Sequence, residues 1–340
     1  MVYSFELIKH ANIRYREFVP VLAQCELFSM LSHLGLSCDL RLEEAGGACF
    51  LTFESHELSE EELSYLSGHS TLSFLAEKKG NLLRPLCFSA CGYLPEDLPE
   101  VLKYKGKTSA TFSRMMVNTA AALSAFRNAP LTFFDPICGK ATGCFCALTA
   151  GMNAVGIDRD QKSIREAGDY FSRYLKYHKL KHDEKSRSET FNKQAVPVVE
   201  FRFSDLKEHY QSGNVRTLTL ACADTALSPA LFRKGRAHII AADLPYGIQH
   251  APLSDSKPES LSGFLGRALP VWKRVLKPEG VIALSFNTLT LPSQAVRKAL
   301  VSAGFRLPDN RLFSSLAHEV EHAVVRDVVF AFNTEEESVL

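Results

Sequence analysis

Four aspartates, each set just after a run of apolar residues, carry the chemistry this sequence can do. Leu131 to Phe134 lead into Asp135-Pro136-Ile137-Cys138-Gly139-Lys140-Ala141-Thr142-Gly143, and Ile239 to Ala242 lead into Asp243-Leu244-Pro245-Tyr246-Gly247. Asp158 follows a third such run, 19 positions after Gly139, and Asp224 follows a fourth. In an open parallel sheet all four lie at the carboxyl ends of strands, where ligands bind. Gly139 and Gly143 allow the backbone to pass close to a ligand and turn into a helix. An acid at the spacing of Asp158 suits ribose hydroxyls, Asp224 suits an adenine amino group, and Asp135 suits an ammonium. Together they fit a cofactor that carries an amine, a ribose and an adenine. Rival nucleotide loops fail on detail. A Walker A loop needs Ser or Thr directly after Gly-Lys, and Ala141 stands there. The dinucleotide fingerprint needs a second glycine at residue 141, and Asp135 would repel a pyrophosphate.

The second loop suits a planar amine. An exocyclic base amine is a poor nucleophile because its lone pair is delocalised into the ring. The Asp243 carboxylate and nearby backbone carbonyls can accept its N–H bonds and help localise that lone pair. Pro245 fixes the turn, Tyr246 offers a ring on which a base taken out of its helix can stack, and Gly247 permits a close turn. His250 is a further candidate near the substrate.

The elements that position these residues follow from periodicity. From Leu131 onward strands are expected at 131–134, 154–157, 217–222, 237–242, 281–286 and 324–332. Helices are expected at 143–151, 160–180, 259–276 and 292–303, a doubly wound α/β pattern. Lys277-Pro278-Glu279-Gly280 reads as the break between a helix and the next strand. Residues 183–196 are polar and charged and read as a mobile surface insertion. Residues 1–80 read as strand (Tyr3 to Tyr15), helix (Arg16 to Gly35), a hairpin turning at Gly46-Gly47, and a helix opened by the capping box Ser59–Glu62. This is a small α+β domain, for which a ferredoxin-like arrangement is one that fits. Residues 81–106, with Pro85, Pro95 and Pro99, read as a linker. A helix is expected over 113–126, with Lys107 to Phe112 as a lid or helix entry near the cofactor. The domain bounds so drawn are 1–80, 81–106, 107–333 and a tail from 334.

The chain has 340 residues, 46% of them hydrophobic, enough to bury a core. No apolar run approaches the roughly 20 residues of a membrane helix, and the first residues do not read as a signal peptide. Nine scattered cysteines with no Cys-x-x-Cys pair suit reduced thiols in a cytoplasmic protein. The net charge of +1 hides an asymmetry: residues 1–100 hold 7 basic and 15 acidic side chains, against 32 and 23 in the remainder. A polyanion is therefore expected on the later part of the chain. His318-Glu319-Val320-Glu321-His322 matches the H-E-x-x-H zinc pattern, which requires a helix. The β-branched residues that follow argue for a strand, on which the two histidines lie about 13 Å apart, and no metal is expected.

At these motifs the sequence resembles the Rossmann-like amino-methyltransferases acting on RNA, in particular the tRNA guanine-N2 methyltransferases and THUMP-associated RNA methylases. The residues that match are Thr111-Phe112-Ser113, Asp135-Pro136 with Cys138-Gly139, Gly156-Ile157-Asp158, Asp224-Thr225, Asp243 to Gly247, and His318 to Phe330. They span about two-thirds of the chain. The resemblance implies a seven-stranded class I methyltransferase sheet. It implies S-adenosylmethionine (SAM) at Asp135, Gly139, Asp158 and Asp224, with Phe112, Cys138, Gly143, Arg159 and Thr225 beside them. It implies target-base binding at Asp243, Pro245 and Tyr246, with guanine N2 of tRNA as the acceptor. Ala141 departs from the family's second glycine, and Leu244 from the first proline of D-P-P-Y. The N-terminal domain is too short and too acidic for a full THUMP module. Adenine N6 in DNA or RNA, and a SAM- or RNA-binding module without turnover, stand as alternatives.

Overall fold

The computed structural model describes the chain except for residues 10–12, 38, 90–91, 105–106, 127–129, 192–193, 233–236, 246–252, 255–256, 315, 322–323 and 335–340. Tyr246, Gly247, His250 and His322 thus lie outside the described residues.

The first part of the chain runs β1 (Val2–Leu7), α1 (Ile13–Leu34), β2 (Arg41–Ala45), β3 (Ala48–Glu54), α2 (Glu60–Ser67), β4 (Leu72–Lys79) and β5 (Leu82–Pro85). The five strands form one sheet in the order β2-β3-β1-β4-β5, antiparallel at every pair. The β-α-β-β-α-β order interleaves two split βαβ units. The expected strand from Tyr3 to Tyr15 is shorter, because α1 already begins at Ile13. Sequence reading also misses β4, and β5 carries the sheet past residue 80 into the stretch read as linker. The capping box forms as expected: Ser59 Oγ accepts from Glu62 N–H and the Glu62 carboxylate accepts from Ser59 N–H.

The rest of the chain runs α3 (Leu98–Val101), α4 (Ala110–Leu123), β6 (Thr132–Asp135), α5 (Thr142–Thr149), β7 (Asn153–Asp158), α6 (Gln161–Tyr177), β8 (His182–Phe191), β9 (Gln194–Phe203), α7 (Lys207–Ser212) and β10 (Arg216–Cys222). It continues through α8 (Ser228–Leu231), β11 (Ala237–Asp243), β12 (Leu253–Ser254), β13 (Lys257–Pro258), α9 (Leu261–Val275), β14 (Leu276–Asn287), α10 (Ser293–Ser302), β15 (Phe305–Arg306), β16 (His318–Glu321) and β17 (Val324–Asn333). A ten-stranded sheet has the order β15-β17-β14-β11-β6-β7-β10-β9-β8, with β16 paired to β17. Its middle, β14-β11-β6-β7-β10, is parallel, and β17 enters antiparallel beside β14. The seven strands from β15 to β10 have the order and directions of the class I methyltransferase sheet, as expected. Burial on both faces explains their continuous apolar runs. Phe133, Ile239 and Val281 point into the core beneath α4, α5 and α6, and Phe134, Ile240 and Ile282 into the core beneath α9 and α10.

Two expectations are corrected. The described residues of 183–196 are not a mobile insertion: β8 pairs antiparallel with β9, and both extend the sheet beyond β10. Val196, Val198, Phe201 and Phe203 of β9 are buried, while β8 is a polar edge held by Arg187 to Glu200 (2.7 Å) and Glu189 (2.6 Å). A charged edge strand lacks the apolar alternation that announces a strand. Lys277 to Gly280 is not a break either but the start of β14, with Glu279 at φ 60° and a register shift opposite Ala237 and Ile239.

The two sheets share α1. Val19, Leu22 and Cys25 belong to the core of the large sheet, and Ala23, Leu27, Met30 and Leu31 to that of the small one. A helix buried on both sides is apolar nearly all round. Between them Glu26, fully buried, accepts from Ser70 N–H (2.9 Å), Ser70 Oγ (2.5 Å) and Asn118 Nδ2 on α4 (2.7 Å). Asn118 also donates to Gly68 O at 2.8 Å. A buried polar group needs such partners.

Candidate functional site

The helices change faces between β6 and β11, so a crevice opens there at the carboxyl ends of the strands. A cavity of about 840 Å³ occupies it, lined by residues 135–140 on one side and 241–245 on the other. Asp135, Asp158 and Asp243 are the last residues of β6, β7 and β11, and Asp224 follows β10. All four line the cavity, as do Cys138, Gly139, Gly143, Arg159, Thr225 and Pro245.

The loop after β6 is held by its neighbour strand. Gly139 N–H donates to Asp158 Oδ2 (2.7 Å), Cys138 N–H donates to Ile157 O (2.9 Å), and Asp158 Oδ1 accepts from Asp160 N–H (2.8 Å). Gly139 stands at φ 51° and Ala141 at φ 65°, both left-handed. Ala141 thus holds a left-handed conformation that glycine adopts without strain, at a cost of about 1–2 kcal/mol, and is fully buried. Two other glycines are needed for space. A Cβ on Gly143 would lie 3.0 Å from Asp135 Oδ2, and one on Gly156 would lie 2.8 Å from Cys138 Sγ and 3.0 Å from Cys144 Sγ. Gly156→Ala is expected to destabilise the fold by about 1–3 kcal/mol through overpacking and to displace Cys138 under the loop. Urea denaturation measures the first effect and cofactor titration the second.

Burial pushes the Asp135 carboxyl well above its ordinary range, and the nearby Asp158 and Asp243 add to the rise against the opposing Ile137 N–H (3.2 Å). Burial also raises Asp158, against the N–H groups of Asp160 and Gly139. The cations nearby are already engaged. Lys140 pairs with Glu166 at 2.5 Å and lies over the Tyr104 ring at 4.8 Å. Arg159 reaches Asp224 at 3.4 Å. The cavity therefore presents buried carboxyls that a positively charged ligand would neutralise.

Asp224 is not the open acceptor expected for an adenine amino group. Arg159 and Arg267 (3.3 Å) both pair with it, and Ala226 N–H donates to it at 2.7 Å. Arg267, on α9, also meets Glu259 at 3.1 Å. Thr225 Oγ1 accepts from Trp272 Nε1 at 2.7 Å, tying α9 to the strand end. Phe112 does not line the cavity: it is buried beneath it, with the Arg326 guanidinium 4.7 Å from its ring centre and the His318 ring 5.4 Å away.

His318 lies on a strand, as expected, paired with β17. Its ring packs on Phe112 and on Phe18 of α1, and burial, with Arg326, lowers its pKa to about 4. Among the described residues no group of His, Cys, Asp or Glu side chains is arranged to hold a metal ion.

Sequence reading misses Tyr104, Arg267 and Ser285. It reaches Thr108 only as part of a lid or helix entry. Asp243 accepts hydrogen bonds from Thr108 Oγ1 at Oδ2 and from Ser285 Oγ at Oδ1 (2.7 Å). Tyr104 meets Thr142 of the cofactor loop at 2.9 Å.

No protein-family profile matches the chain. No curated protein is similar to it in sequence. Solved structures that superimpose on it include methyltransferases. TrmN from Thermus thermophilus is 16% identical over 86% of this chain and 59% of its own, with a TM-score of 0.43. The match thus spans less than two-thirds of that protein. Magnesium protoporphyrin IX methyltransferase from Synechocystis, solved with bound SAM, is 14% identical over 68% of this chain and 87% of its own, with a TM-score of 0.41. An rRNA methylase from Streptococcus thermophilus is 10% identical over 68% of this chain and all of its own, with a TM-score of 0.36. The fold assignment rests on the strand order and pairing given above. Among the described residues no helix is long and apolar enough to cross a membrane.

Proposed function

We propose that this chain is a SAM-dependent methyltransferase that methylates an exocyclic amine of a base in RNA. The observation that supports it most is the meeting of Asp135, Asp158 and Asp243 in one cavity at the switch point of a class I sheet. The residues present fit the cofactor. Asp135 offers a buried carboxyl to an ammonium, the Gly139 turn lets backbone approach the ligand, and Asp158 and the Arg159–Asp224–Arg267 group offer polar contacts to a nucleoside. When bound, SAM supplies a methyl group on a positively charged sulfur, which a nitrogen lone pair can displace.

The chain's own part is binding and orientation, which supply much of the rate in such a reaction. Asp243 accepts an N–H of the target amine, draws its lone pair out of conjugation, and faces the positive charge that grows on nitrogen. Pro245 holds the turn, and Tyr246 is the residue we assign to stacking the base. The finer reading, guanine N2 in tRNA, rests on the motif resemblance around Asp243 to Gly247. We place the protein in the cytoplasm on its cysteine usage.

Transfer of tritium from methyl-labelled SAM to total tRNA and to DNA in parallel, followed by nucleoside analysis, tests this. Labelled N2-methylguanosine is the expected product. N6-methyladenine would move the assignment to the adenine reading. With total ribosomal RNA added as a third acceptor, no label in any of the three would refute the nucleic-acid reading.

A further inference from the structure

The carboxylate at the end of β11 is gripped by two hydroxyls from different parts of the chain. Ser285 lies on β14, directly opposite Asp243 in the parallel register, and is fully buried; its Oγ donates to Oδ1 at 2.7 Å. Thr108 precedes α4 and lines the cavity, and its Oγ1 donates to Oδ2. Two hydroxyl donors, one on each carboxylate oxygen, fix the plane in which Asp243 presents its acceptors.

The segment that carries Thr108 has a second anchor. Tyr104, four residues earlier, meets Thr142 at 2.9 Å, and Lys140 lies 4.8 Å from its ring centre. Lys107 between them is tied back to Pro99 O at 2.5 Å. We propose that Thr108 and Ser285 are positioning residues that aim Asp243. The proposal rests on the reading of Asp243 as the acceptor of the target amine. Its physical basis is that a carboxylate free to swing loses alignment, and small misplacements lower rates steeply.

Thr108→Val keeps the shape and removes the donor, and Thr108→Ser keeps the donor. The expected result for Val is a kcat for methyl transfer lowered about 10- to 100-fold. The KM for SAM and the affinity for S-adenosylhomocysteine stay within about twofold of the parent chain, the signature of an interaction made at the reacting centre. Ser should recover most of the rate. A Val variant as fast as the parent, or a Ser variant as slow as Val, would overturn the proposal. If the parent chain methylates no nucleic acid, the reading of Asp243 fails first, and that is seen without any variant. Hydrogen–deuterium exchange then decides the contact alone. Peptides covering residues 107–113 should exchange faster in both Thr108→Val and Asp243→Ala; unchanged exchange in Asp243→Ala would refute it.

Discussion

Asp243→Ala is expected to lower methyl transfer by about a thousandfold, the scale of a positioned group that acts on the reacting atom. Binding of S-adenosylhomocysteine should change little, because the cofactor loop is held by Asp158 and Ile157. The separation matters more than the size of the loss. A variant that loses both would place Asp243 in the cofactor site or in the fold. Asp243→Asn should fall between, since the amide keeps one oxygen acceptor but turns its NH2 donors toward one of the Thr108 and Ser285 hydroxyls. Isothermal titration with S-adenosylhomocysteine, beside the tritium assay, reads both quantities.

Asp135→Asn carries the second large effect, and it has two signs. Loss of the counter-charge should weaken cofactor binding about 10- to 100-fold, as for a hydrogen bond to a charged group. The ligand-free protein should gain stability on the order of 1 kcal/mol at neutral pH, as binding-site substitutions often do. Burial, reinforced by Asp158 and Asp243, raises the folded-state pKa of Asp135 above its unfolded value. Between those two values the folded chain holds a proton that the unfolded chain has lost. Stability therefore falls as pH rises above about 4, until Asp135 ionises in the folded state. Asparagine removes that slope while its oxygen still accepts from Ile137 N–H. Cofactor affinity in the parent chain runs the other way. It should weaken up to about tenfold per pH unit as the pH falls below the ligand-free pKa. Urea midpoints from pH 4 to 8 and titrations over the same range test both signs. A variant no more stable than the parent at pH 7 would show that burial does not raise the Asp135 pKa in the ligand-free fold.

How much of this was legible in the sequence depends on how local each signal is. Asp135, Asp158 and Asp243 end strands whose apolar runs are continuous because both faces are covered, so pattern alone put them at one edge. β8 was not legible, because an edge strand needs no apolar face and its charges resemble a loop. Phe112 was expected at the cofactor on a motif match, but the phase of α4 turns it toward Arg326 and His318, leaving Ser113, Met116 and Val117 to the cavity. Arg267 and Ser285 could not be found at all. They reach Asp224 and Asp243 across 43 and 42 intervening steps of chain, and only the folded sheet makes them neighbours.

The shared helix α1 has a mechanical consequence. One of its sides is a wall of the small sheet's core. Its other side presses on the helix that floors the cavity, with Glu26 bolted to Asn118, the residue after Val117. Turning the small sheet against the large one would therefore break the Glu26–Asn118 hydrogen bond and unpack α1 from α4. A load applied to its strands is carried through α1 into the floor of the cavity.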